Sequence, residues 1–322
     1  MAIHDITRLI ALLIFRFIFG SFDYGERNHM NSGYEITGHT RLIGLLGSPV
    51  GHSKSPMMHN EAFRALGLDY RYLAFDVTEE TLPRAVEGLK ALGARGTNLT
   101  MPCKSRAVSL CDRLSPAARI SGAVNTLVFE DDGTITGHTT DGSGFFLSCQ
   151  EEGFQIPGKK MTIFGTGGAG TAIFVQAALD GAREISIFSR STSSFQQRTS
   201  QVIAELEECT KCSIHVYDYE EQHLRRELAA SHILVNATNV GMAPKEEESL
   251  IPDSSYFHPG LLVADIIYNP VETRLVKMAK EAGCQAFGGL YMLLYQGAES
   301  FCLWMGQEMP IEIVKKKCFS SP

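Results

Sequence analysis

Residues 161–190, MTIFGTGGAGTAIFVQAALDGAREISIFSR, decide the fold of this chain. The first four residues form an apolar run that stops at a glycine cluster, as a buried parallel strand does. The composition and apolar face of residues 169–179 predict a helix, and Gly181 lies where a helix C-cap is expected. Residues 184–188 are predicted to form a second strand. The stretch therefore predicts a strand–helix–strand unit, which is the repeating element of an α/β fold.

The turn between the first strand and the helix is GTGGAG, residues 165–170, and it matches the pattern G-x-G-x-x-G. Gly165 allows the tight turn, Gly167 leaves room for a pyrophosphate to approach the backbone, and Gly170 lets the helix pack closely on the strand. The helix N-terminus would then face the phosphates with free N–H groups and the positive end of its dipole. A glycine-rich turn in another kind of βα unit is the alternative. Because strand, turn, helix and second strand agree, the sequence predicts a dinucleotide site.

The end of the second strand, SRST at residues 189–192, bears on the choice of cofactor. An NAD-specific site offers Asp or Glu to the ribose 2′-hydroxyl about twenty residues past the glycines, and this strand end carries no acid. Arg190 can pair with a 2′-phosphate instead, with the hydroxyls of Ser191 and Thr192 as further donors. A solvated arginine at the strand end is the alternative. The sequence therefore favours NADP and leaves NAD open.

Length and composition describe a globular chain that is longer than one typical domain. The chain has 322 residues, of which 44% are hydrophobic and 20% charged, and two domains are expected. A formal net charge of −7 gives no basic field, so nucleic acid is not expected as a partner. Eight cysteines are scattered without a disulfide pattern and are expected to be buried thiols. The single C-x-x-C at Cys209 and Cys212 has no second pair, and no metal site is predicted.

The apolar stretch at residues 6–22, ITRLIALLIFRFIFGSF, needs a separate interpretation. It is interrupted by Arg8 and Arg16, is shorter than the about 20 uncharged residues of a spanning helix, and lacks the cleavage site of a secretory signal. An amphipathic helix on a membrane surface is the alternative. Met30 opens a segment that looks like a natural start. We therefore interpret residues 1–29 as a dispensable extension and expect no membrane partner.

The first strand after this extension, residues 42–46, leads through the polar loop GSPVGHSKSP into a helix predicted over residues 57–66. Ser55 suits the N-cap of this helix, whereas Ser53 has no such role. Two hydroxyls two residues apart beside a helix start can instead hold a small anion such as a carboxylate. Both interpretations of the loop remain open at this point.

Strands and helices continue to alternate after this loop. A strand is predicted over residues 70–77, a helix over 82–92 and a strand over 96–101. This pattern predicts a mostly parallel sheet, separate from that of residues 161–190. Lys104 lies just past the third strand, in NLTMPCK, at the kind of strand end where α/β proteins bind ligands. A solvated lysine is the alternative.

The second half of the chain adds polar residues at the ends of predicted elements. The remaining predictions are a strand at residues 127–130, a hairpin turn at 131–133, a helix at 142–152, strands at 233–237 and 261–266, and a long apolar helix at 290–301. Asp141 precedes the first of these helices, where its simplest role is an N-cap. Gln296 is a polar residue on the last helix.

Seven separated motifs occur in the order in which one enzyme family carries them. They are GSPVGHSKSPMMHNEAF, NLTMPCK, GAVNTL, TTDGSG, GTGGAG, DIIYNP and MLLYQGAESF. Over residues 41–320 the chain closely resembles the shikimate dehydrogenase family, and especially its quinate/shikimate dehydrogenase branch. The resemblance implies NAD(P)-dependent interconversion of shikimate and 3-dehydroshikimate in the cytoplasm, as part of aromatic amino-acid and chorismate biosynthesis. Quinate is a further candidate substrate.

The resemblance also implies the domain organisation. It implies an N-terminal α/β substrate domain and a Rossmann-type dinucleotide-binding domain, with C-terminal helices that return to the first domain across a cleft. The implied boundaries are residues 1–40 for an extension outside the fold, 41–140 plus 288–322 for the substrate-binding and catalytic domain, and 141–287 for the NAD(P)-binding domain. Small-molecule substrates are the expected partners, and a homodimer remains open as the assembly.

Site residues are implied motif by motif. Lys104 and Asp141 resemble the catalytic pair of the family. The implied substrate contacts are Ser53 and Ser55 at the carboxylate, Tyr268 near it, and Thr100, Lys104, Asn125, Asp141 and Gln296 at the ring hydroxyls. The implied cofactor contacts are Gly165, Thr166, Gly167, Gly168, Ala169, Gly170, Ser189, Arg190, Ser191, Thr238, Asn239, Ile267, Gly289 and Met292.

The chain departs from the family pattern in three regions. The family's Asp-Gly before the last helix is Gly288-Gly289 here, and the glycine that usually precedes the methionine is Tyr291, which changes the expected shape of the nicotinamide pocket. Asn239 stands where many members have serine, which alters the expected ribose contacts. The strand end Ser189-Arg190-Ser191 replaces Asn-Arg-Thr of the biosynthetic members, so the cofactor choice stays open.

A non-catalytic dinucleotide-binding or sensing protein on the same fold is the alternative function, because a fold alone does not fix an activity. The presence of both Lys104 and Asp141 favours the enzyme over this alternative.

Overall fold

The computed structural model describes residues 35–192 and 195–319. All the elements below belong to one compact unit, Ile36–Pro322. The apolar stretch at residues 6–22 and the extension over residues 1–29 lie outside the described residues. Within the described ranges, no helix is long and apolar enough to cross a membrane.

Strands and helices alternate along most of the described chain. The strands are β1 (Arg41–Gly47), β2 (Tyr70–Asp76), β3 (Gly96–Leu99), β4 (Arg113–Leu114), β5 (Thr126–Phe129), β6 (Ile135–His138), β7 (Lys160–Phe164), β8 (Glu184–Phe188), β9 (Ser213–Tyr217), β10 (Ile233–Asn236), β11 (Leu262–Asp265) and β12 (Ala286–Phe287). The α-helices are α1 (Ser55–Ala65), α2 (Leu82–Ala91), α3 (Pro116–Ser121), α4 (Asp141–Glu151), α5 (Gly168–Leu179), α6 (Gln196–Cys209), α7 (Glu221–Ala230), α8 (Arg274–Glu281), α9 (Leu290–Met305) and α10 (Ile311–Val314). Short 3₁₀ helices cover Arg106–Leu110 and Ser254–Tyr256, and a π-helix covers Lys315–Phe319.

The first sheet has the strand order β2-β1-β3-β5-β6-β4. β1 pairs in parallel with both β2 and β3, as the alternating pattern predicts. β5 runs antiparallel to β3 and to β6, and the β5–β6 pair confirms the predicted hairpin. The sheet is therefore more mixed than the sequence indicates. The loops that follow β1 and β3 leave the same edge of the sheet, because parallel strands end on the same side.

The second sheet has the order β12-β11-β10-β7-β8-β9, and every neighbouring pair is parallel. The predicted unit over residues 161–190 is confirmed as β7, α5 and β8. The strand order reverses at β7, with β8 on one side and β10 on the other, which is the doubly wound topology of a Rossmann fold. Ligands bind such sheets at the carboxyl edge beside this reversal.

The helix α9 returns to the first sheet, as the resemblance implies. Its residues Phe301 and Trp304 are buried with Phe63 of α1 and Tyr72 of β2 in one apolar cluster. Trp304 Nε1 donates a hydrogen bond of 2.9 Å to the carbonyl oxygen of Leu127 in β5. The aromatic cluster therefore fixes the C-terminal helix against the first sheet.

Three predicted element ends differ from the structure by two residues or more, and the first is the start of α1, which begins at Ser55 where the sequence predicts residue 57. The strand predicted over residues 96–101 ends at Leu99, because the Cys103 N–H donates to the Thr100 carbonyl oxygen at 2.9 Å and closes a turn. The last long helix runs four residues past the predicted end, to Met305, and stops at Gly306, whose φ of 64° is left-handed.

The predictions that Ser55 and Asp141 are N-cap residues are both wrong. Ser55 is the first residue of α1 and Asp141 the first residue of α4, so each lies inside its helix. The N-cap residues are Lys54 and Thr140, and neither makes a side-chain cap. Ser53, which had no predicted local role, accepts a 3.2 Å bond from the Ser55 N–H instead. The Ser55 and Asp141 side chains are thus available for other contacts.

All eight cysteines lie within the described residues, and none of them is in a disulfide. Five of them are buried, as predicted: Cys103, Cys149, Cys212, Cys284 and Cys318. Cys111 is half-buried, whereas Cys209 and Cys302 are exposed, so the prediction of buried thiols is wrong for those last two.

Candidate active site

A cavity of about 240 Å³ lies at the carboxyl ends of strands from both sheets. Its walls come from the loops after β1, β3 and β11, from the first residues of α1 and α4, and from the N-terminal half of α9. The cavity is lined by all eight residues predicted to contact a substrate: Ser53, Ser55, Thr100, Lys104, Asn125, Asp141, Tyr268 and Gln296. The fold therefore gathers residues that are up to 243 positions apart in the sequence, from Ser53 to Gln296 (296 − 53).

One wall of the cavity offers hydroxyl groups beside the start of α1. The Ser53 hydroxyl oxygen accepts from the Ser55 backbone N–H, and the Ser55 side chain is buried against Tyr72. Burial raises the pKa of Tyr72 well above its usual value, and the hydrogen bond with Ser55 opposes that shift. Lys54 also lines the cavity here. Hydroxyl donors, a lysine and the positive end of a helix dipole make this wall suitable for a carboxylate.

Lys104 and Asp141 form an ion pair within the cavity. The Lys104 Nζ lies 2.6 Å from Asp141 Oδ2, and the two side chains are 27% and 12% exposed. Asp141 Oδ1 accepts a second bond, of 2.9 Å, from Asn125 Nδ2. Both carboxylate oxygens are therefore engaged, and the aspartate holds the ammonium group at one position. A lysine ammonium has three donors, so two remain for other contacts when one faces Asp141.

The orientation of the Asn125 side chain follows from its fixed partners. The Thr140 backbone N–H donates to Asn125 Oδ1 at 2.9 Å, and the Thr126 hydroxyl donates to the same oxygen at 2.9 Å. The oxygen of the amide therefore faces inward, and its nitrogen faces Asp141. Gln296 Oε1 lies 3.5 Å from this nitrogen, at the limit of a hydrogen bond. Asn125 thus connects the first sheet to the ion pair.

A buried polar network behind the cavity is absent from the sequence predictions. Ser300 of α9 is fully buried, and its hydroxyl lies 2.7 Å from Thr126 Oγ1 and 3.2 Å from Thr140 Oγ1. Asn98 of β3 donates to Ser300 Oγ at 3.0 Å and accepts from the Tyr72 hydroxyl at 2.8 Å. The network therefore continues from the wall that carries Ser55 to the Asn125 amide.

Two signals in the sequence point to this network. Asn98 is a polar residue within the short strand GTNL, all of which is buried. Ser300 follows Gln296 by four residues on a mostly apolar helix, so both side chains lie on the same face. A buried polar group requires a hydrogen-bond partner, but the sequence does not say which one.

The close packing of α4 against α9 brings Gln296 to this wall. A Cβ atom on Gly144 would collide with the backbone nitrogen of Gln296, so glycine is required at this crossing. The TTDGSG motif therefore supplies glycines that allow the two helices to pack closely, as well as Asp141.

The glycine turn between β7 and α5 has the shape predicted for a pyrophosphate site. Gly165 has a left-handed φ of 94°, and a Cβ atom on Gly170 would collide with the Gly165 carbonyl oxygen. By contrast, a Cβ atom on Gly167 would meet no atom within 4 Å, so this side of the turn is open. Thr166 is buried, and its hydroxyl lies 3.3 Å from the hydroxyl of Ser189. The turn is thereby joined to the end of β8.

The remaining residues predicted to contact the cofactor lie at the same edge of the second sheet. Arg190 and Ser191 are exposed directly after β8, and Asn239 is exposed after β10. Thr238 is half-buried, and its hydroxyl donates to Asn236 Oδ1 at 2.7 Å. This placement agrees with a ligand that extends along the carboxyl ends of β7, β8 and β10, which is the expected path of a dinucleotide.

The two binding regions meet at α9. Gly289 and Met292, which are predicted to lie near the nicotinamide, both line the cavity. Ile266 lines it as well, whereas Ile267 is buried and only 4% exposed. Ile266 is thus the isoleucine of this loop that lines the cavity. The cavity therefore joins the predicted substrate and nicotinamide regions.

Comparisons with known proteins identify the family. The family model described as "Shikimate dehydrogenase substrate binding domain" matches residues 45–127, and the one described as "Shikimate 5'-dehydrogenase C-terminal domain" matches residues 289–319. A "Shikimate dehydrogenase (NADP(+))" of Listeria monocytogenes serotype 4b is 49% identical over 285 residues, which cover 88% of this chain and 97% of that relative. The chain belongs to the shikimate dehydrogenase family.

Two more members show how this family varies. A "Quinate/shikimate dehydrogenase" of Escherichia coli O139:H28 is 45% identical over 283 residues, which cover 88% of this chain and 98% of that protein. A crystal structure of shikimate 5-dehydrogenase from Listeria monocytogenes in complex with shikimate and NAD has a TM-score of 0.84 and 49% identity. The match covers 87% of this chain and 97% of that chain. A protein with the same fold has therefore been observed with a substrate and a dinucleotide bound together.

Proposed function

We propose that this protein is a shikimate dehydrogenase that reversibly reduces 3-dehydroshikimate to shikimate with NAD(P). The observation that carries this proposal is the 2.6 Å contact between Lys104 Nζ and Asp141 Oδ2 in a cavity whose walls also hold Ser53 and Ser55. A polyol acid needs an anion site for its carboxylate and an acid–base group at the reacting oxygen, and this cavity contains both. The high identity to a named NADP-dependent shikimate dehydrogenase supports the same reaction.

The lining residues have distinct proposed roles in substrate binding. Ser53 and Ser55 hold the carboxylate at the start of α1, with Tyr268 beside it. The ring hydroxyls are held by the remaining polar groups of the cavity: Thr100, Lys104, Asn125, Asp141 and Gln296. Both ends of the Asn125 amide already have internal partners, because Oδ1 accepts from Thr126 and Thr140 and Nδ2 donates to Asp141 Oδ1 at 2.9 Å and to Thr140 Oγ1 at 3.0 Å. Its proposed contact with a ring hydroxyl therefore requires the nitrogen to share or give up one of these bonds.

Lys104 is the proposed proton carrier. In the reduction, its ammonium group donates a proton to the carbonyl oxygen of the substrate as that oxygen becomes a hydroxyl. In the oxidation, the neutral amine accepts the proton from the hydroxyl. Asp141 accepts a bond from Lys104 throughout and thereby fixes the position of the nitrogen. The pair acts as a positioned acid and base at a single atom of the substrate.

The cofactor region has its own proposed roles. A bound nicotinamide supplies or accepts the hydride at its ring carbon. The turn at residues 165–170 and the N-terminus of α5 hold the pyrophosphate, while Thr238 and Asn239 lie beside the ribose. Arg190 is proposed to pair with the 2′-phosphate of NADP, which makes NADP the favoured cofactor and NAD a second one.

The wider organisation also remains part of this proposal. We assign residues 1–40 to an extension, 41–140 with 288–322 to the substrate domain, and 141–287 to the cofactor domain. The family resemblance also supports a cytoplasmic location and small-molecule partners, with a homodimer as one candidate assembly. Quinate is the second candidate substrate, because a relative with 45% identity is named for both compounds.

Initial rates of the purified full-length protein test the proposed reaction. Shikimate and quinate are each combined with NADP and with NAD, and the reduced nicotinamide is followed by its absorbance. The proposal expects the highest kcat/KM for shikimate with NADP. If the protein binds either cofactor but reduces neither with shikimate or with quinate, it is the non-catalytic binding protein instead.

Replacing Arg190 is expected to separate the two cofactors. Arg190→Ala should weaken NADP binding by ~1.5–3 kcal/mol, because it removes a charge-assisted hydrogen bond to a phosphate, and should leave NAD binding nearly unchanged. Dissociation constants measured by cofactor fluorescence report this difference without turnover. An equal loss for both cofactors would mean that Arg190 is only a solvated residue at the strand end.

Replacing the two serines at the start of α1, Ser53 and Ser55, is expected to affect substrate binding and not cofactor binding. Ser53→Ala and Ser55→Ala should each raise KM for shikimate by about tenfold, because each removes a hydrogen bond to a charged group. NADP affinity should stay the same, since neither residue lies at the glycine turn. The melting temperature should also fall by a small amount, because the Ser53 hydroxyl accepts from the Ser55 N–H and the Ser55 hydroxyl bonds to Tyr72. A fall in melting temperature with an unchanged KM would contradict the proposed carboxylate site.

A further inference from the structure

Asp265, the last residue of β11, is a buried carboxylate that the proposed reaction does not use. It is 1% exposed, and its two oxygens receive hydrogen bonds from three residues. Oδ1 accepts from the Ile267 N–H at 3.0 Å, and Oδ2 accepts from the Thr273 hydroxyl at 2.8 Å. Asn236 Nδ2 lies 3.1 Å from both oxygens. The four contacts all come from neutral donors.

The bond to Asn236 connects Asp265 to the loop after β10. Asn236 Oδ1 accepts from both the backbone N–H of Thr238 at 3.1 Å and its hydroxyl at 2.7 Å. Asn236 Nδ2 also lies 3.2 Å from the Val240 carbonyl oxygen. One asparagine therefore sets the path of the loop that carries Thr238, and Asp265 sets the orientation of that asparagine.

The bond to Ile267 connects Asp265 to the loop that lines the cavity. Ile266 and Tyr268, the neighbours of Ile267, are both cavity residues. The Ile267 carbonyl oxygen in turn accepts from the Gly289 N–H at 2.9 Å, directly before α9. The position of Gly289 at the nicotinamide region therefore depends on the same segment.

The bond to Thr273 adds a third element. Thr273 is the N-cap residue of α8, and its hydroxyl oxygen accepts from the Val276 N–H at 3.4 Å while donating to Asp265. An ionised carboxylate can accept from all of these donors at once, whereas the neutral acid would turn a proton towards one of them. Burial raises the pKa of the Asp265 carboxyl, and the bonds from Ile267, Asn236 and Thr273 oppose that shift.

A site that must hold a ligand precisely depends on residues behind it as well as on those that touch it. We propose that Asp265 is a positioning residue for the cofactor: it fixes the loops after β10 and β11 in the arrangement that the nicotinamide half of NADP requires. Asp265 acts through Asn236 and Ile267 and does not contact the cofactor. This proposal rests on the proposed function insofar as that function assigns a dinucleotide to this edge of the sheet.

Glu227 provides a matched control at the other end of the same sheet. It is also a buried carboxylate, 3% exposed, and accepts bonds from Ser186 at 2.7 Å and from Lys160, the first residue of β7, at 2.6 Å. The glycine turn follows the last residue of β7, so Glu227 lies away from the proposed cofactor contacts. Glu227→Gln and Asp265→Asn each change a buried acid into an amide in the same domain. Only Asp265 joins the loops after β10 and β11.

The test measures NADP binding to the full chain by cofactor fluorescence, together with the melting temperature of each variant. Asp265→Asn should raise the dissociation constant for NADP by about tenfold, because one of the two oxygens that face the Asn236 amide nitrogen is replaced by an NH₂ group that repels it, which weakens the link between the loops. Glu227→Gln should lower the melting temperature and leave the dissociation constant within twofold of wild type. Binding is measured at a temperature at which each variant is folded.

A dissociation constant for Asp265→Asn within twofold of wild type would overturn the proposal. If Asp265→Asn does not fold, Asn236→Ala takes its place, because it leaves the bonds from Ile267 and Thr273 intact and should still weaken NADP binding. An unchanged affinity in Asn236→Ala would overturn the proposal equally. Failure of the proposed function is a separate result: wild-type protein would bind NADP without oxidising shikimate, while the effect of Asp265→Asn on binding would remain.

Discussion

Lys104→Met is expected to lower kcat for shikimate oxidation by on the order of 10²–10⁴, the usual contribution of a positioned acid or base. Methionine keeps a similar length but has no amine, so no group remains to take the proton from the substrate hydroxyl. The ion pair with Asp141 at 2.6 Å is lost at the same time. Lys104→Ala should give a similar loss. The measurement is a steady-state rate at saturating shikimate and NADP.

The control for Lys104→Met is the affinity for NADP, which should equal that of wild type because Lys104 lies on the loop after β3 and not on the second sheet. Turnover at the wild-type rate with native cofactor affinity would show that the proton leaves by another route. Lys104 would then have to be removed from the catalytic role.

Asp141→Asn is expected to reduce kcat and weaken shikimate binding together, with a fall in kcat/KM on the order of 10²–10³ because two bonds to a charged group are disturbed. An asparagine can turn its oxygen towards either Lys104 or Asn125. Its amide nitrogen then faces the other donor, so one of the two contacts becomes repulsive. Lys104 therefore loses either its own hydrogen bond to residue 141 or the hydrogen bond from Asn125 that holds residue 141 in place.

Kinetic constants and dissociation constants for shikimate distinguish the two roles of Asp141. If Asp141→Asn raised only the dissociation constant and left kcat unchanged, the carboxylate would serve binding alone. If it lowered only the melting temperature, the carboxylate would serve the fold. Either result would contradict its assignment to the acid–base pair.

The sequence predicts four of the six strands of the second sheet, and it predicts the unit of β7, α5 and β8 best because the decisive signals of that unit are local. It does not predict the strands β9 and β12. Gly165 and Gly170 lie in a turn whose geometry is set by the chain on either side, and the predicted strand–helix–strand unit is observed with ends shifted by at most one residue. The reversal of strand order at β7 also follows from a parallel sheet that grows on both sides of its first strand.

The roles of Ser55 and Asp141 show where local reasoning fails. Each precedes a predicted helix, so each is predicted from the sequence alone to be an N-cap, yet both lie one position inside the helix. What determines their contacts is tertiary: Tyr72 lies against Ser55, and Lys104 pairs with Asp141. The motif order predicts that these residues belong to one site, because the complete pattern carries information that a single motif does not.

Ser300 and Asp265 illustrate what the sequence leaves undetermined. Each is a buried polar residue whose partners lie far away in the chain, such as Asn98 for Ser300 and Asn236 for Asp265. A polar residue in an apolar segment indicates that some partner exists. Only the three-dimensional arrangement shows that Ser300 reaches Asn125 through Thr126 and Thr140, and that Asp265 joins the loops after β10 and β11.

Direct hydride transfer is the central claim, and a deuterium label tests it. Shikimate that carries deuterium at carbon 3 is incubated with the wild-type protein and NADP, and the reduced cofactor is isolated for mass spectrometry. The account predicts reduced NADP that is heavier by one mass unit, together with 3-dehydroshikimate that has lost the label, because the hydride passes from substrate to nicotinamide inside the cavity. Unlabelled reduced cofactor, or no reduced cofactor at all, would contradict the account.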